Sequence, residues 1–82
     1  VRNEACMNIE IYTKDNCISC EKAKIFLRNQ GVEYIERRVD RDTTLMRKLI
    51  LELDSSSTPT IVINGNIIRG FHEDKIISLI SV

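Results

Sequence analysis

From Ile9 to Ile80 the apolar residues fall into short blocks whose spacing switches between strand and helix periods. Ile9 to Thr13 is β-branched or aromatic with weak alternation, which predicts a first strand. Asp15 and Asn16 offer turn and N-cap chemistry for a helix from about Cys17 to Gln30. Ala23, Phe26 and Leu27 lie at helical spacing, Ile25 widens that face, and Gly31 supplies the stop. Val32 to Val39 predicts a second strand on the β-propensity of Val32, Tyr34 and Ile35. Asp40, Asp42 and Thr43 are candidate caps for a second helix, whose Leu45, Met46, Leu49, Ile50 and Leu53 form the clearest helical stripe. Asp54-Ser55-Ser56-Ser57 is a polar stop.

Thr60 to Ile63 is nearly all β-branched and predicts a central third strand. Asn64-Gly65 is a two-residue hairpin signal, so Asn66 to Arg69 should return antiparallel to it. Gly70 ends that strand. A last helix starts around His72 to Asp74 and runs to Ile80, with Ile76, Ile77 and Ile80 facing inward. The order is β-α-β-α-β-β-α, an α/β class. The first β-α-β unit should be parallel with a right-handed crossover, giving a four-stranded mixed sheet flanked by helices. Residues 1–8 read as a lead-in and 9–82 as a single domain.

Composition narrows the function classes. The chain has 82 residues, enough for one small domain. Its 12 basic and 12 acidic side chains cancel, so no global field draws it to nucleic acid or an anionic membrane. No apolar run approaches the roughly 20 residues of a membrane-spanning helix. Val1 to Asn8 is polar and lacks a secretory apolar region, which points to the cytoplasm; Met7 is a candidate natural start, and the chain is expected to act as a monomer.

The chemistry concentrates in the cysteines. Of Cys6, Cys17 and Cys20, the last two sit three residues apart where a strand hands over to a helix. Unpaired N–H groups and the positive dipole end favour a thiolate at Cys17, lowering its pKa below the roughly 8.5 of a free thiol. Lys14, Lys22 and Lys24 add positive potential and Asp15 and Glu21 oppose it. Cys20, one turn inside, should be more buried, and the two sulfurs are within bonding reach. Cys17 would attack a substrate disulfide and Cys20 would resolve the mixed disulfide. Two other readings compete. Half of a zinc site needs four ligands in all, and only Cys6 and His72 remain, neither with a partner at ligand spacing. A pair of inert buried thiols fits poorly with a turn–helix junction. A metal or iron–sulfur binding module is the alternative of another class.

Three further stretches bear on a site. Pro59 belongs at a strand entry; on residues alone Thr58-Pro59 is expected trans, as most such bonds are. Arg69-Gly70-Phe71-His72-Glu73 is a strand-to-helix turn whose helix start suits an anion, or an ordinary turn with Phe71 in the core and His72 exposed. Arg37, Arg38 and Arg41 interleave with Asp40 and Asp42, which reads as a solvated edge rather than a nucleic-acid patch.

With these residues assembled, the chain resembles the glutaredoxin family over roughly residues 8–80. Ile9 to Lys14 leading into Cys17-x-x-Cys20 carries the resemblance. Ala23-Lys24, Leu27, Gly31-Val32, Thr58-Pro59 and the Gly70 turn support it. The resemblance implies a thioredoxin-like architecture. It also implies a thiol–disulfide oxidoreductase acting on protein disulfides or glutathione mixed disulfides, with no bound cofactor and no metal, and glutathione as co-substrate. By it Cys17 is the nucleophile, Cys20 the resolving thiol, and Thr58-Pro59 cis. Lys14, Ser19, Thr58, Pro59, Gly70, Phe71 and His72 would then line the substrate and glutathione site. Lys14 would face a glutathione carboxylate, the Thr58 main chain its cysteinyl part, and the residues after Gly70 its γ-glutamyl end. The sequence also departs from the family. Ile18-Ser19 stands where Pro-Tyr is usual, and Arg69 where the first of two glycines is usual. Phe71-His72 replaces a Cys/Ser-Asp step, which leaves Glu73 or Asp74 to meet the glutathione amino group. Gly70-Phe71 resembles instead the redoxins that serve ribonucleotide reductase and are reduced by thioredoxin reductase.

Overall fold

The two runs richest in β-branched residues take the centre of the sheet, where both faces can be covered. In the computed structural model, which describes residues 8–80, these are β1 (Ile9–Thr13) and β3 (Thr60–Ile63). They pair antiparallel, Ile9 opposite Ile63 and Tyr12 opposite Thr60. The strand β2 (Ile35–Arg38) lies parallel to β1, and β4 (Asn66–Arg69) lies antiparallel to β3, for a spatial order β2-β1-β3-β4. Asn64 and Gly65 join β3 to β4 with φ of 50° and 88°, the left-handed pair that a tight hairpin requires. The architecture is thioredoxin-like α/β, as the element order predicts.

Side-chain alternation along β1 sends its residues to two cores. Ile9 and Ile11 join Ile61, Ile63 and Ile68 against Ala23 and Leu27 of α1 (Ile18–Asn29) and Ile76 of α3 (Glu73–Ile80). Tyr12 joins Val39, Leu49 and Leu53 on the opposite face, under α2 (Thr43–Leu51). The larger core therefore lies beneath the helix that begins within the C-x-x-C pair, after Cys17 and before Cys20.

The structure trims several expected boundaries. The second strand is Ile35–Arg38 rather than Val32–Val39, because β1 offers partners only from Glu10 to Thr13. Val32 is used instead to close α1: Gly31 N–H bonds to the Arg28 carbonyl at 3.0 Å and Val32 N–H to the Leu27 carbonyl at 3.4 Å. That is a Schellman closure with Gly31 at φ 74°. Asp42 alone caps α2, its Oδ1 accepting from Thr44 N–H at 2.9 Å. Of the α2 stripe, Leu49 and Leu53 are buried, whereas Met46 and Ile50 are exposed, as is Ile25 of α1. A nine-residue helix on one face of a sheet has room to bury only a narrow line. In α3, Ile77 points outward and Leu79 packs in its place. The expected lead-in over 1–8 lies, apart from Asn8, outside the described residues. Asn8 exchanges 2.8 Å bonds with Asn64, N–H to Oδ1 and carbonyl to N–H.

Candidate active site

Cys17 caps α1. Asp15 and Asn16, expected as caps, make the turn before it, with Asn16 at φ 56°. Cys17 is extended (φ −122°, ψ 99°), and its Sγ accepts the Cys20 N–H at 3.2 Å, a bond usually made by Ser, Thr, Asp or Asn. A sulfur here stands at the positive end of the helix, facing N–H groups that have no partner within it. The two cysteines are joined as a disulfide, with Cα atoms 5.2 Å apart. Cys17 is half-buried and Cys20 fully buried beneath it, so a reactant from solvent meets Cys17 first.

Thr58 comes against this sulfur from the other half of the chain. Its carbonyl oxygen lies 3.8 Å from Cys17 Sγ, and its Oγ1 donates to that Sγ at 3.6 Å. The Thr58–Pro59 peptide is cis, as the resemblance implies and against the expectation from residues alone. Pro59 is buried, and its carbonyl accepts Gly70 N–H at 2.8 Å, which brings the end of β4 alongside. Lys14, Ile18 and Ser19 are exposed around the disulfide, Ile18 at 75%.

The Gly70 turn half-buries Phe71 and leaves His72 exposed, as the ordinary-turn reading expects. Phe71 packs edge-on against Phe26 with ring centroids 5.7 Å apart. His72 Nε2 lies 3.1 Å from the Arg69 carbonyl, folding the ring back over Gly70. Glu73 and Asp74 occupy the first turn of α3.

Charge around the thiols is organised in pairs. Asp15 bonds through its carboxylate to Arg38 and lies 3.6 Å from Arg41, and its N–H donates to Asp40 Oδ2 at 3.0 Å. The Asp15 backbone bond, with Arg38 adding to it, holds the Asp40 carboxyl below its usual range. Glu21 is paired with Lys24 at 3.1 Å. The two acids expected to oppose a thiolate are thus each partnered. Lys24 does not serve Cys17: it bridges Glu21 and Glu36. Burial pushes its ammonium down, and those two carboxylates more than reverse this. The Thr13 hydroxyl, donating at 2.7 Å, holds Glu36 low, with Lys24 adding to the effect. The arginine run is an ion-pair cluster, with Arg37 bound to Glu10 at 3.1 Å.

The structure thus gathers Cys17, Cys20, Thr58 and Pro59 at one end of the sheet, with Gly70 bonded to Pro59. Sequence reasoning missed the Asp15–Arg38–Asp40 clamp, whose only signal was the alternating charge from Arg37 to Asp42. It also missed the bonds of Arg69 described below, for which the sequence carried no signal. Among the described residues no cluster of three or more His, Cys, Asp or Glu could hold a metal, and no helix is long and apolar enough to cross a membrane. Cys6, the remaining thiol, lies outside them.

Comparisons with known proteins bear on this geometry. The family model named Glutaredoxin matches residues 9–68. Glutaredoxin 3 of Escherichia coli (strain K12) is 33% identical over 63 residues, covering 77% of this chain and 76% of that protein. The crystal structure of the thioredoxin-like protein BC3987 is 38% identical with a TM-score of 0.86, covering 89% of this chain and all of that one. The glutaredoxin-like protein NrdH-redoxin of Escherichia coli, described as having a thioredoxin-like activity profile, is 26% identical with a TM-score of 0.80. That match covers 88% of this chain and 93% of that one.

Proposed function

The chain belongs to the glutaredoxin family and is a thiol–disulfide oxidoreductase, and from that premise we propose that Cys17 and Cys20 are its reacting dithiol, acting on protein disulfides or glutathione mixed disulfides. One observation carries this reading: a half-buried Cys17 sulfur capping α1, with Thr58 on one side and a buried Cys20 behind it. In the reduced protein the Cys17 thiolate attacks one sulfur of the substrate. The substrate S–S bond breaks, and its other sulfur leaves as a thiolate that takes a proton from solvent. Cys20, deprotonated, then attacks Cys17 Sγ. That step closes Cys17–Cys20 and releases the second substrate thiolate, so two electrons have passed to substrate. Cys20 N–H and Thr58 Oγ1 stabilise the anionic sulfur of Cys17 in both directions.

Glutathione is the first reading of the electron donor. Exposed Lys14 is available to its carboxylate, the Thr58 main chain to its cysteinyl part, and Glu73 or Asp74 to its amino group. A second reading, reduction by thioredoxin reductase, is favoured by the turn at Gly70. Phe71 is committed to Phe26, and His72 is folded over Gly70. The likeness to NrdH-redoxin points the same way. We place the reaction in the cytoplasm, where the reducing poise keeps such a pair charged. The assay is reduction of a model disulfide with either glutathione and its reductase or NADPH and thioredoxin reductase. Turnover in the first system supports glutathione; turnover only in the second rejects it; turnover in neither overturns the assignment of the dithiol.

A further inference from the structure

Arg69 ends β4 opposite Thr60, and its alternation with Ile67 puts its side chain on the α2 face of the sheet. From there the guanidinium reaches the chain just beyond α2. Nε donates to the Asp54 carbonyl at 2.9 Å and Nη2 to the Leu53 carbonyl at 2.8 Å. These oxygens follow a helix C-terminus, where carbonyls lack helical partners and the dipole favours a cation.

The segment so held leads directly to Thr58. Asp54 is left-handed at φ 51°, and Ser55 N–H closes onto the Leu49 carbonyl at 3.0 Å. Further on, Thr60 Oγ1 donates to the Ser57 carbonyl at 2.8 Å and shares a 2.8 Å bond with Ser55 Oγ. Ser55 and Thr60 are both buried. The loop is therefore tied at its far end by hydroxyls and at its near end by backbone bonds onto α2 and by one charged side chain, Arg69.

We propose that Arg69 is a positioning residue for substrate disulfides: its guanidinium fixes the loop from Leu53 to Ser57 and so sets Thr58 beside Cys17. This rests on the reading of Cys17 and Thr58 as the pair that faces substrate. The Arg69 guanidinium bonds the loop carbonyls and not the Cys17 sulfur. It acts through backbone placement, and a misplacement of about 1 Å at a reacting geometry is enough to matter.

The test uses the full chain with Arg69→Ala and the milder Arg69→Gln, which keeps one donor. The readouts are steady-state reduction of a synthetic peptide disulfide and amide hydrogen exchange over residues 53–58. Arg69→Ala should raise KM about fivefold or more with kcat within about twofold, and Arg69→Gln should fall between it and the parent. Exchange should quicken over 53–58 and stay unchanged in β1 and β3. Faster loop exchange with an unchanged KM overturns the proposal and leaves the dithiol reading standing. Unchanged loop exchange overturns it too. Loss of the fold in both variants, seen by circular dichroism, also overturns it, by making Arg69 a general stability residue. A parent protein that does not turn the peptide over defeats the dithiol reading and the proposal with it.

Discussion

At Cys17 and Cys20 one residue type has two environments because α1 begins between them. Cys17 is the cap, open to solvent and to Thr58; Cys20 is the third helical residue, at 0% exposure. Their substitutions should therefore differ in kind. Cys17→Ser should abolish disulfide reduction. Cys20→Ser should still attack but stall as a mixed disulfide, seen as the substrate's added mass on the intact protein; full turnover by Cys17→Ser would move the nucleophile elsewhere. The spacing of the thiols was legible because their chemistry depends on local chain geometry. The contact with Thr58 joins residues 41 positions apart, so no local pattern encodes it and only the family resemblance placed Thr58 in the site. The cis state of Thr58–Pro59 likewise ran against the residue-only expectation and followed only from family resemblance.

Caps and closures decide where the elements end. Asp42→Ala removes the one side-chain acceptor at the start of α2 and should cost about 1 kcal/mol in urea denaturation, with m unchanged. Gly31→Ala meets no neighbour within 4 Å, yet it puts a β-carbon on a left-handed residue. It should lose roughly 1 kcal/mol on backbone conformation alone, against no loss if Gly31 were merely a spacer. Element order, the Asn64-Gly65 hairpin and the Gly31 stop could be read in advance because each is encoded within a few residues. The length of β2 and the inner line of α2 could not. An edge strand is only as long as its partner allows, and Met46 and Ile50 lie outside the narrow contact that α2 makes with its sheet face. Arg69 escaped notice for the same reason, since its partners are backbone carbonyls in another element.

For the molecule as a whole, its ion pairs set a pH window. At Glu10, burial pushes the carboxyl up, but the bonds from Arg37 and Tyr12 outweigh it, so the folded value is lowered; Glu36 and Asp40 are lowered too. The unfolded chain then binds more protons than the folded one below about pH 4.5, and this stability is lost on acidification. Lys24 is raised, as is Tyr12 through burial and its bond to Glu10. Their contribution is complete below the unfolded values near 10 and is lost as pH rises through the folded ones. Melting temperature should therefore form a plateau between about pH 5 and 9 that falls on both sides. A melting temperature that climbs from pH 5 to pH 3 would contradict the carboxylate assignments. The 41-residue separation of Cys17 from Thr58 also has a consequence in time. At about 5–20 residues per second, the ribosome makes the thiols roughly 2–8 s before the residue that will sit beside them. For those seconds the pair lacks its neighbouring wall, and the site is complete only once the chain has passed Thr58.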